Sequence, residues 1–292
     1  MAYDRVTTPL VVILGETASG KSALALKLAE QFNGEIICAD SWTVYRGFDI
    51  GTAKPTVADR QKIPHHVVDV TTAKVGFNAS LFKELALKAI DDISSRGNLP
   101  IMVGGSGLYI NSVIFDYKFN KPPDKRFRYK LNQLSLAELV TKAEQSGLAI
   151  DQIDKKNKRR VIRFIETGGL VEQSDVLRQN TLLLGININQ EMLKQRISTR
   201  VDQMVSLGFE SEVKHLKERY GWDIEAMKAP GYRAFKDYVE GLISLEEAKT
   251  QFINADIKLA KKQRTWFKRN PSIQWIEKRS EAVALVTTYL NN

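Results

Sequence analysis

The sequence predicts an α/β fold in which helices flank a parallel β-sheet, and three observations point to it. The apolar run Leu10–Leu14 leads directly into Gly15-Glu16-Thr17-Ala18-Ser19-Gly20-Lys21-Ser22, and a helical pattern from Ala23 to Gln31 follows. Short apolar runs alternate with amphipathic stretches through the first third of the chain. Helical blocks then interrupt this alternation before two late strand-like runs complete it. Alternation of this kind places ligands at the carboxyl ends of the strands.

In chain order, Val11–Leu14, Ile36–Ala39, His66–Val70 and Pro100–Val103 read as buried strands, each ended by Gly, Asp or Thr. Helical spacing fills Ala23–Gln31 and Ser80–Ser94, where Leu81, Leu85, Ile90 and Ile93 recur. Leu182–Ile186 reads as a further core strand. Ile273–Ile276 reads as another, before a closing helix over Ala282–Leu290. Arg159–Thr167 precedes these two late strands, and Glu191–Tyr220, with an interruption at Gly208, and Ser244–Asn270 lie between them. These blocks read as a helical insertion in the α/β core.

Gly15–Ser22 is a GxxxxGK[ST] pattern between a strand and a helix, the context a P-loop requires. Its glycines let backbone N–H groups wrap a diphosphate, Lys21 adds a point charge, and the Ser22 hydroxyl can reach a Mg²⁺ ion. The motif says that a polyphosphate is held and leaves open which one. With 292 residues, 43% hydrophobic and 26% charged, the chain has an ordinary globular composition. No apolar run approaches the ~20 residues of a membrane span, and Met1–Asp4 begins no signal-peptide pattern. The single Cys38 excludes an internal disulfide framework and a cysteine-rich zinc site. A reducing cytoplasm is the expected compartment.

Charge separates along the chain. Residues 1–118 carry 12 basic and 12 acidic side chains, so the net +9 comes entirely from residues 119–292. A neutral phosphate-binding half joined to a basic half suggests a small phosphorylated ligand and a polyanionic partner, with an unpartnered basic surface as the other reading. Asp40, ending its strand, and Asp69 are the candidates for the acidic residue a P-loop enzyme places near its ligand. Asp40 is followed by the polar and aromatic run Ser41-Trp42-Thr43. Gly104–Tyr109 forms a second glycine-rich turn at the same edge, with a hydroxyl at Ser106.

Two basic clusters follow. Lys155–Arg160 runs into a helix that sets Arg159 and Arg163 four residues apart. Lys258–Arg269 holds six positive charges, no acid, and adjacent Trp266 and Phe267. That combination suits a single-stranded RNA loop, and it equally suits an amphipathic helix burying Leu259, Trp266 and Phe267. Arg196, Arg200 and Arg233 are isolated arginines able to close over a diphosphate. His65 and His66, adjacent on an extended segment, point to opposite faces and make a poor shared metal site.

Taken together these residues resemble the tRNA dimethylallyltransferase family, through nearly the whole chain. The match includes Gly15–Ser22, Ala39–Ser41 with Val44–Gly47, Asp49–Pro55, Pro64–His66, Gly104–Tyr109, Arg159–Arg163, Arg200–Asp202 with Gly208, Gly231–Arg233, and Ala260–Gln263 with Thr265–Trp266. The run Asp49–Pro55 after a P-loop is its most specific part. The resemblance implies transfer of a dimethylallyl group from dimethylallyl diphosphate to N6 of the adenosine 3′ to the anticodon, with Mg²⁺ as cofactor. It implies the tRNA anticodon stem-loop as partner, no membrane, and a monomer.

The catalytic residues it implies are Asp40, Lys21, Ser106 and Arg233, with Gly15–Ser22 binding the diphosphate and Ser22 the metal. Contact with tRNA is implied for Asp40, Ser41, Trp42 and Thr43, for Ser106 and Arg128, and for Arg159, Arg160, Val161, Ile162 and Arg163. It is implied further for Lys228, Gly231, Tyr232 and Arg233, and for Lys261, Lys262, Gln263, Arg264, Thr265, Trp266 and Lys268. The expected layout is a P-loop core over 1–118, a connecting helical segment over 119–154, and a core continuation with an RNA-contacting helix over 155–198. A helical insertion over 199–270 and a return to the core over 271–292 complete it.

The chain departs from the family pattern at four places. Glu16 stands where Pro is usual, Thr43 (after an unusual Trp42) where Gln is usual, Ser106 where Thr is usual, and Ile257 near an expected basic residue. Rival readings are a small-molecule kinase using ATP at the same loop, a prenyltransferase acting on free adenine nucleotides, and a nucleotide-gated RNA-binding protein without chemistry. The basic clusters favour tRNA.

Overall fold

The computed structural model describes residues 8–119, 124–169 and 174–291. The Met1–Asp4 stretch, read above for a leader, lies outside them. Six apolar runs become strands: β1 (Leu10–Leu14), β2 (Gly34–Ala39), β3 (His65–His66), β4 (Leu99–Gly104), β5 (Thr181–Ile186) and β6 (Gln274–Ile276). All pair in parallel, in the order β3-β2-β4-β1-β5-β6. β1, β2 and β4 are buried at every position, as near-continuous apolar runs in a doubly covered sheet should be.

The register, with Leu14 beside Gly104 and Ala39 beside Gly104 on the other side, levels the strand ends at one edge. β4 lies between β1 and β2, so the Gly104–Tyr109 turn stands between the P-loop and Asp40.

Helices α1 (Lys21–Gln31), α2 (Val57–Lys62), α3 (Ala79–Ser95) and α4 (Gly107–Ile114) belong to the first half of the chain. α1 buries Leu24, Ala25, Leu28 and Ala29 against the sheet. α5 (Lys125–Gln133), α6 (Leu136–Gln145) and α7 (Lys158–Glu166) follow, then α8 (Gln190–Ser206), α9 (Phe209–Tyr220), α10 (Pro230–Val239), α11 (Leu245–Phe267) and α12 (Arg279–Asn291). Gly208, with a left-handed φ of 93°, breaks the long amphipathic stretch between α8 and α9 where the sequence placed the interruption.

The chain divides into two units, Phe115–Val176 and the remainder, Met1–Ile114 with Leu177–Asn292. This redraws the expected boundaries. Residues 155–176 join α5 and α6 because Val161, Ile162, Phe164 and Ile165 share a core with Leu131, Leu139, Ala143 and Ile150. Residues 199–270 do not stand apart from the sheet, because Leu193, Ile197 and Ala260 of α8 and α11 pack with Ala18 of the P-loop.

The expected strand His66–Val70 shrinks to His65–His66. Val67 and Asp69 adopt positive φ (61° and 55°), which no strand tolerates. Asp69 is drawn into ion pairs with Lys54 (2.6 Å) and Arg60 (2.7 Å), and its N–H donates to the Thr43 carbonyl at 3.2 Å. The segment therefore braces the loop after β2 instead of lengthening the sheet, and Asp69 is withdrawn from candidacy as the acidic partner of the P-loop. His65 faces the Ile63 carbonyl and His66 the Glu35 carboxylate, two separate environments.

The Asp49–Pro55 run is held by one carboxylate. Glu212 of α9 accepts the N–H groups of Asp49 (3.0 Å), Ile50 (2.8 Å) and Gly51 (3.0 Å), and the Tyr232 hydroxyl at 2.7 Å. Consecutive N–H groups converging on one anion form a nest, here filled from within the protein. Gly51 is obligatory beside it, since a Cβ would lie 2.2 Å from the Phe209 ring. Glu212→Ala is expected to lower stability by about 2–3 kcal/mol by leaving several donors unpaired, with Glu212→Gln in between. Urea denaturation checks both.

Candidate active site

The P-loop closes on itself before α1 begins. The Ser19 N–H donates to the Glu16 carbonyl (3.2 Å), Ala18 and Gly20 take positive φ (59° and 101°), and Lys21 Nζ reaches the same Glu16 carbonyl at 2.5 Å. Gly20 serves as N-cap of α1, so the positive end of that helix faces the loop. Burial, followed by the neighbouring charge of Arg200, pushes the Lys21 ammonium down to about 8. Ser22 is exposed in the first turn of α1.

Asp40 follows β2, where its Oδ1 accepts the Trp42 N–H at 2.8 Å. Burial raises its carboxyl above the ordinary range, while the Trp42 N–H and the charge of Lys21 pull the other way. Ser106 brackets this carboxylate. Its N–H donates to the Ala39 carbonyl (3.2 Å) and its Oγ accepts the Ser41 N–H (3.1 Å). Thr43 is buried and its hydroxyl has no partner among the described residues. Trp42 is half-buried. Burial pushes the Cys38 thiol up to about 12, which keeps it inert.

Two late helices supply the loop's remaining neighbours. From α8, Arg196 Nη1 donates to the Ser19 carbonyl (3.1 Å) and Arg200 Nη2 to the Thr17 hydroxyl (2.8 Å). Arg200 is also paired with buried Asp256 of α11. From the same α11, Gln263 bonds the Thr17 N–H, and Arg264 pairs with buried Glu16 and with Gln190. Glu16, the departure at the usual proline, is thus matched by Arg264. Ile257, the departure at an expected cation, packs against the apolar cluster of α8 and α11. Arg233 is exposed on α10, and the guanidinium groups that reach the loop are those of Arg196 and Arg200, with Arg264 bound to the Glu16 carboxylate. Sequence reasoning named this pair and could not rank it above Arg233, because spacing does not say which helix face meets the loop.

The residues expected to touch tRNA divide by exposure. Arg159, Arg160, Lys228, Arg233, Lys261, Lys262, Thr265, Trp266 and Lys268 are exposed. Lys228 is also paired with Glu225 at 2.8 Å, and Trp266 lies over Gly107, where a Cβ would meet the indole at 2.3 Å. Val161 and Ile162 instead fill the core of the smaller unit. Gly231 and Tyr232 are buried beneath Phe252 and Phe209. Hydrophobic packing claims these four residues. Arg128 is bound through Nε (2.6 Å) and Nη2 to buried Glu166, which Arg163 approaches at 3.8 Å. In the Lys258–Arg269 cluster, Phe267 is buried as an amphipathic helix requires, whereas Trp266 is exposed.

Comparison with known proteins agrees with this architecture. The family model described as IPP transferase matches residues 43–270. The tRNA dimethylallyltransferases of Anoxybacillus flavithermus and Pelotomaculum thermopropionicum are each 40% identical, over 94% and 95% of this chain and 92% and 93% of their own. A crystal structure of the full-length tRNA isopentenylpyrophosphate transferase from Bacillus halodurans is 35% identical, with a TM-score of 0.76 over 98% of this chain and 97% of that one. A eukaryotic dimethylallyltransferase captured acting on tRNA is 25% identical, with a TM-score of 0.85 over 98% of this chain and 80% of its own. On the extent of these matches and a P-loop set on a six-stranded parallel sheet, the chain belongs to the IPP transferase family.

Proposed function

We propose that this protein transfers the dimethylallyl group of dimethylallyl diphosphate to N6 of the adenosine 3′ to the anticodon in tRNA (position 37), releasing diphosphate. The observation that carries this reading is a half-buried carboxylate, Asp40, bracketed by Ser41 and Ser106 and electrostatically coupled to the lysine of a P-loop. A kinase needs the P-loop. A kinase could also use a carboxylate beside its acceptor, but it has no need of an exposed basic helix face such as that of α11.

Diphosphate oxygens replace the Glu16 carbonyl on Lys21 and take the N–H groups at the start of α1, with Arg196 and Arg200 alongside. The N6 lone pair attacks the allylic carbon, the C–O bond breaks, and its electron pair leaves with the diphosphate. Asp40 accepts the N6 proton, a role that a carboxyl raised by burial suits. Charge grows on the leaving group as that bond breaks, so the cationic cradle stabilises the transition state more than the bound donor.

Mg²⁺ fits this arrangement. The Ser22 hydroxyl is a hard oxygen donor, and no group of three His, Cys, Asp or Glu among the described residues could hold an ion alone. The remaining ligands then come from the diphosphate and water. Bound there, the ion neutralises charge on the leaving group.

The exposed cations of α7, α10 and α11 serve as phosphate contacts, with Ser106, Ser41, Trp42 and Thr43 near the extruded base. Arg128 and Arg163, held by Glu166, complete the phosphate contacts of the smaller unit. No described helix is long and apolar enough to cross a membrane. The protein acts as a cytoplasmic monomer, since one chain supplies both loops and both helices of the site.

With Mg²⁺, tRNA and labelled dimethylallyl diphosphate, label is expected in tRNA from that donor alone. Consumption of ATP without prenyl transfer would reject the reading. Asp40→Ala is expected to lower turnover about 10²- to 10⁴-fold with tRNA affinity nearly unchanged.

The pH profile offers a second check. Asp40 must be ionised to accept a proton, which gives an acidic limb above the ordinary carboxylate range. Lys21 must be protonated to hold diphosphate, so kcat/KM for the donor is expected to fall above about 8. Bound diphosphate favours the charged lysine, so the alkaline limb of kcat lies at higher pH. Coincident alkaline limbs would show that Lys21 does not meet the donor.

A further inference from the structure

Gln263 lies within the basic cluster of α11, and the family resemblance groups it with RNA contacts. Its side chain does something else. Oε1 accepts the N–H of Thr17 in the P-loop at 2.7 Å, and Nε2 donates to the carbonyl of Gly105 in the second glycine turn at 3.1 Å. Both partners are backbone groups of fixed polarity, so the amide has one orientation that satisfies them. The fit at Gly105 is close, since a Cβ there would stand 2.2 Å from Nε2.

The two ends of this bridge belong to the two halves of the reaction. Thr17 is held at its amide by Gln263 and at its hydroxyl by Arg200, which fixes the diphosphate side. Gly105 precedes Ser106, whose N–H and Oγ engage Ala39 and Ser41 on either side of Asp40. Thus a single amide spans from the P-loop to the frame of the acceptor carboxylate.

We infer that Gln263 is a positioning residue that sets the separation between the donor's diphosphate and the amine it alkylates. This inference rests on the prenyl-transfer reading above. Both ends of the Gln263 amide are taken up by protein backbone, so its loss changes alignment and leaves each binding surface in place. Misplacement of reacting groups by about 1 Å costs on the order of 10²-fold in rate.

The test uses Gln263→Met, which keeps the length and removes both hydrogen bonds, and Gln263→Glu. The glutamate can still accept from Thr17 but turns an oxygen toward the Gly105 carbonyl. Both variants are expected to lose about 30- to 100-fold in kcat, with tRNA and donor dissociation constants within about threefold of the parent. A larger share of donor is expected to end as dimethylallyl alcohol: water takes the allylic carbon, diphosphate leaves with the electron pair, and the proton goes to solvent. Thermal melting verifies that the variants are folded, and Gly105→Ala, which drives a methyl group into the amide, should repeat the kcat loss from the other end.

Weaker tRNA binding at unchanged kcat would overturn the proposal and return Gln263 to the RNA surface. Parental kcat in Gln263→Met would overturn it as well. Failure of the parent protein to move label into tRNA in the same assay would instead reject the prenyl-transfer reading.

Discussion

Gathering cations on one loop before any anion arrives is the electrostatic problem this protein solves. Lys21, Arg196 and Arg200 all act at the P-loop, and Arg200 lowers the pKa of Lys21 by its charge. Two like charges about 4 Å apart repel by about 4 kcal/mol at an effective dielectric near 20. The structure offsets this with internal acceptors. Asp256 takes Arg200, the Glu16 carbonyl takes Lys21, and the Glu16 carboxylate takes Arg264. Each stands where donor binding can compete with it or leave it untouched. Lys21 can exchange a carbonyl for phosphate oxygens, whereas Arg200 keeps its buried partner and is presented already oriented.

The same reasoning accounts for Glu16. A carboxylate at the second position of a diphosphate loop looks adverse until Arg264 is counted. The pair adds no net charge to the cradle and ties the loop to α11. Apolar packing completes that tie, with Ala18 against Leu193, Ile197 and Ala260, and with Ile257 filling the adjoining space. A lysine at 257 would have to leave this cluster to reach water. The two departures from the family pattern therefore fall on one interface, between the P-loop and the late helices.

What could be read in the sequence followed from periodicity and from local chemistry. Fully buried strands such as β1 and β4 announce themselves as apolar runs, the P-loop by its glycines, and the α8–α9 break by Gly208. Features set by distant partners could not be read. Val67 and Asp69 leave the β region because Lys54, Arg60 and Thr43 hold that segment, and no local pattern records those contacts. Resemblance conveyed segments and not faces. It grouped Val161 and Ile162 with Arg159, and Tyr232 with Arg233, though helical spacing sends the apolar members inward. The bridging geometry of Gln263 joins residues 158 and 246 positions apart, beyond any reading of spacing.

Helix α11 shows why so much of the site is entrusted to a segment so late in the chain. Asp256, Gln263, Arg264 and Trp266 reach Arg200, both glycine loops, Glu16 and Gly107, while Lys261 and Lys262 stay exposed on the same helix and Lys268 at its C-cap. From Asp256 to Trp266 is ten residues, roughly 15 Å of helix at 1.5 Å per residue. A rigid rod of that length transmits position without the slack of a loop. A capping box at Ser244 and Glu247 fixes its start, and buried Phe252, Ala260 and Phe267 fix its long axis against the protein. On the proposed reading, a nucleic acid gripped by the outer lysines is thereby referenced to the same element that orders the P-loop. Reactions that join two separately bound molecules depend on such shared references, because error in each binding site adds to the distance the bond must cross.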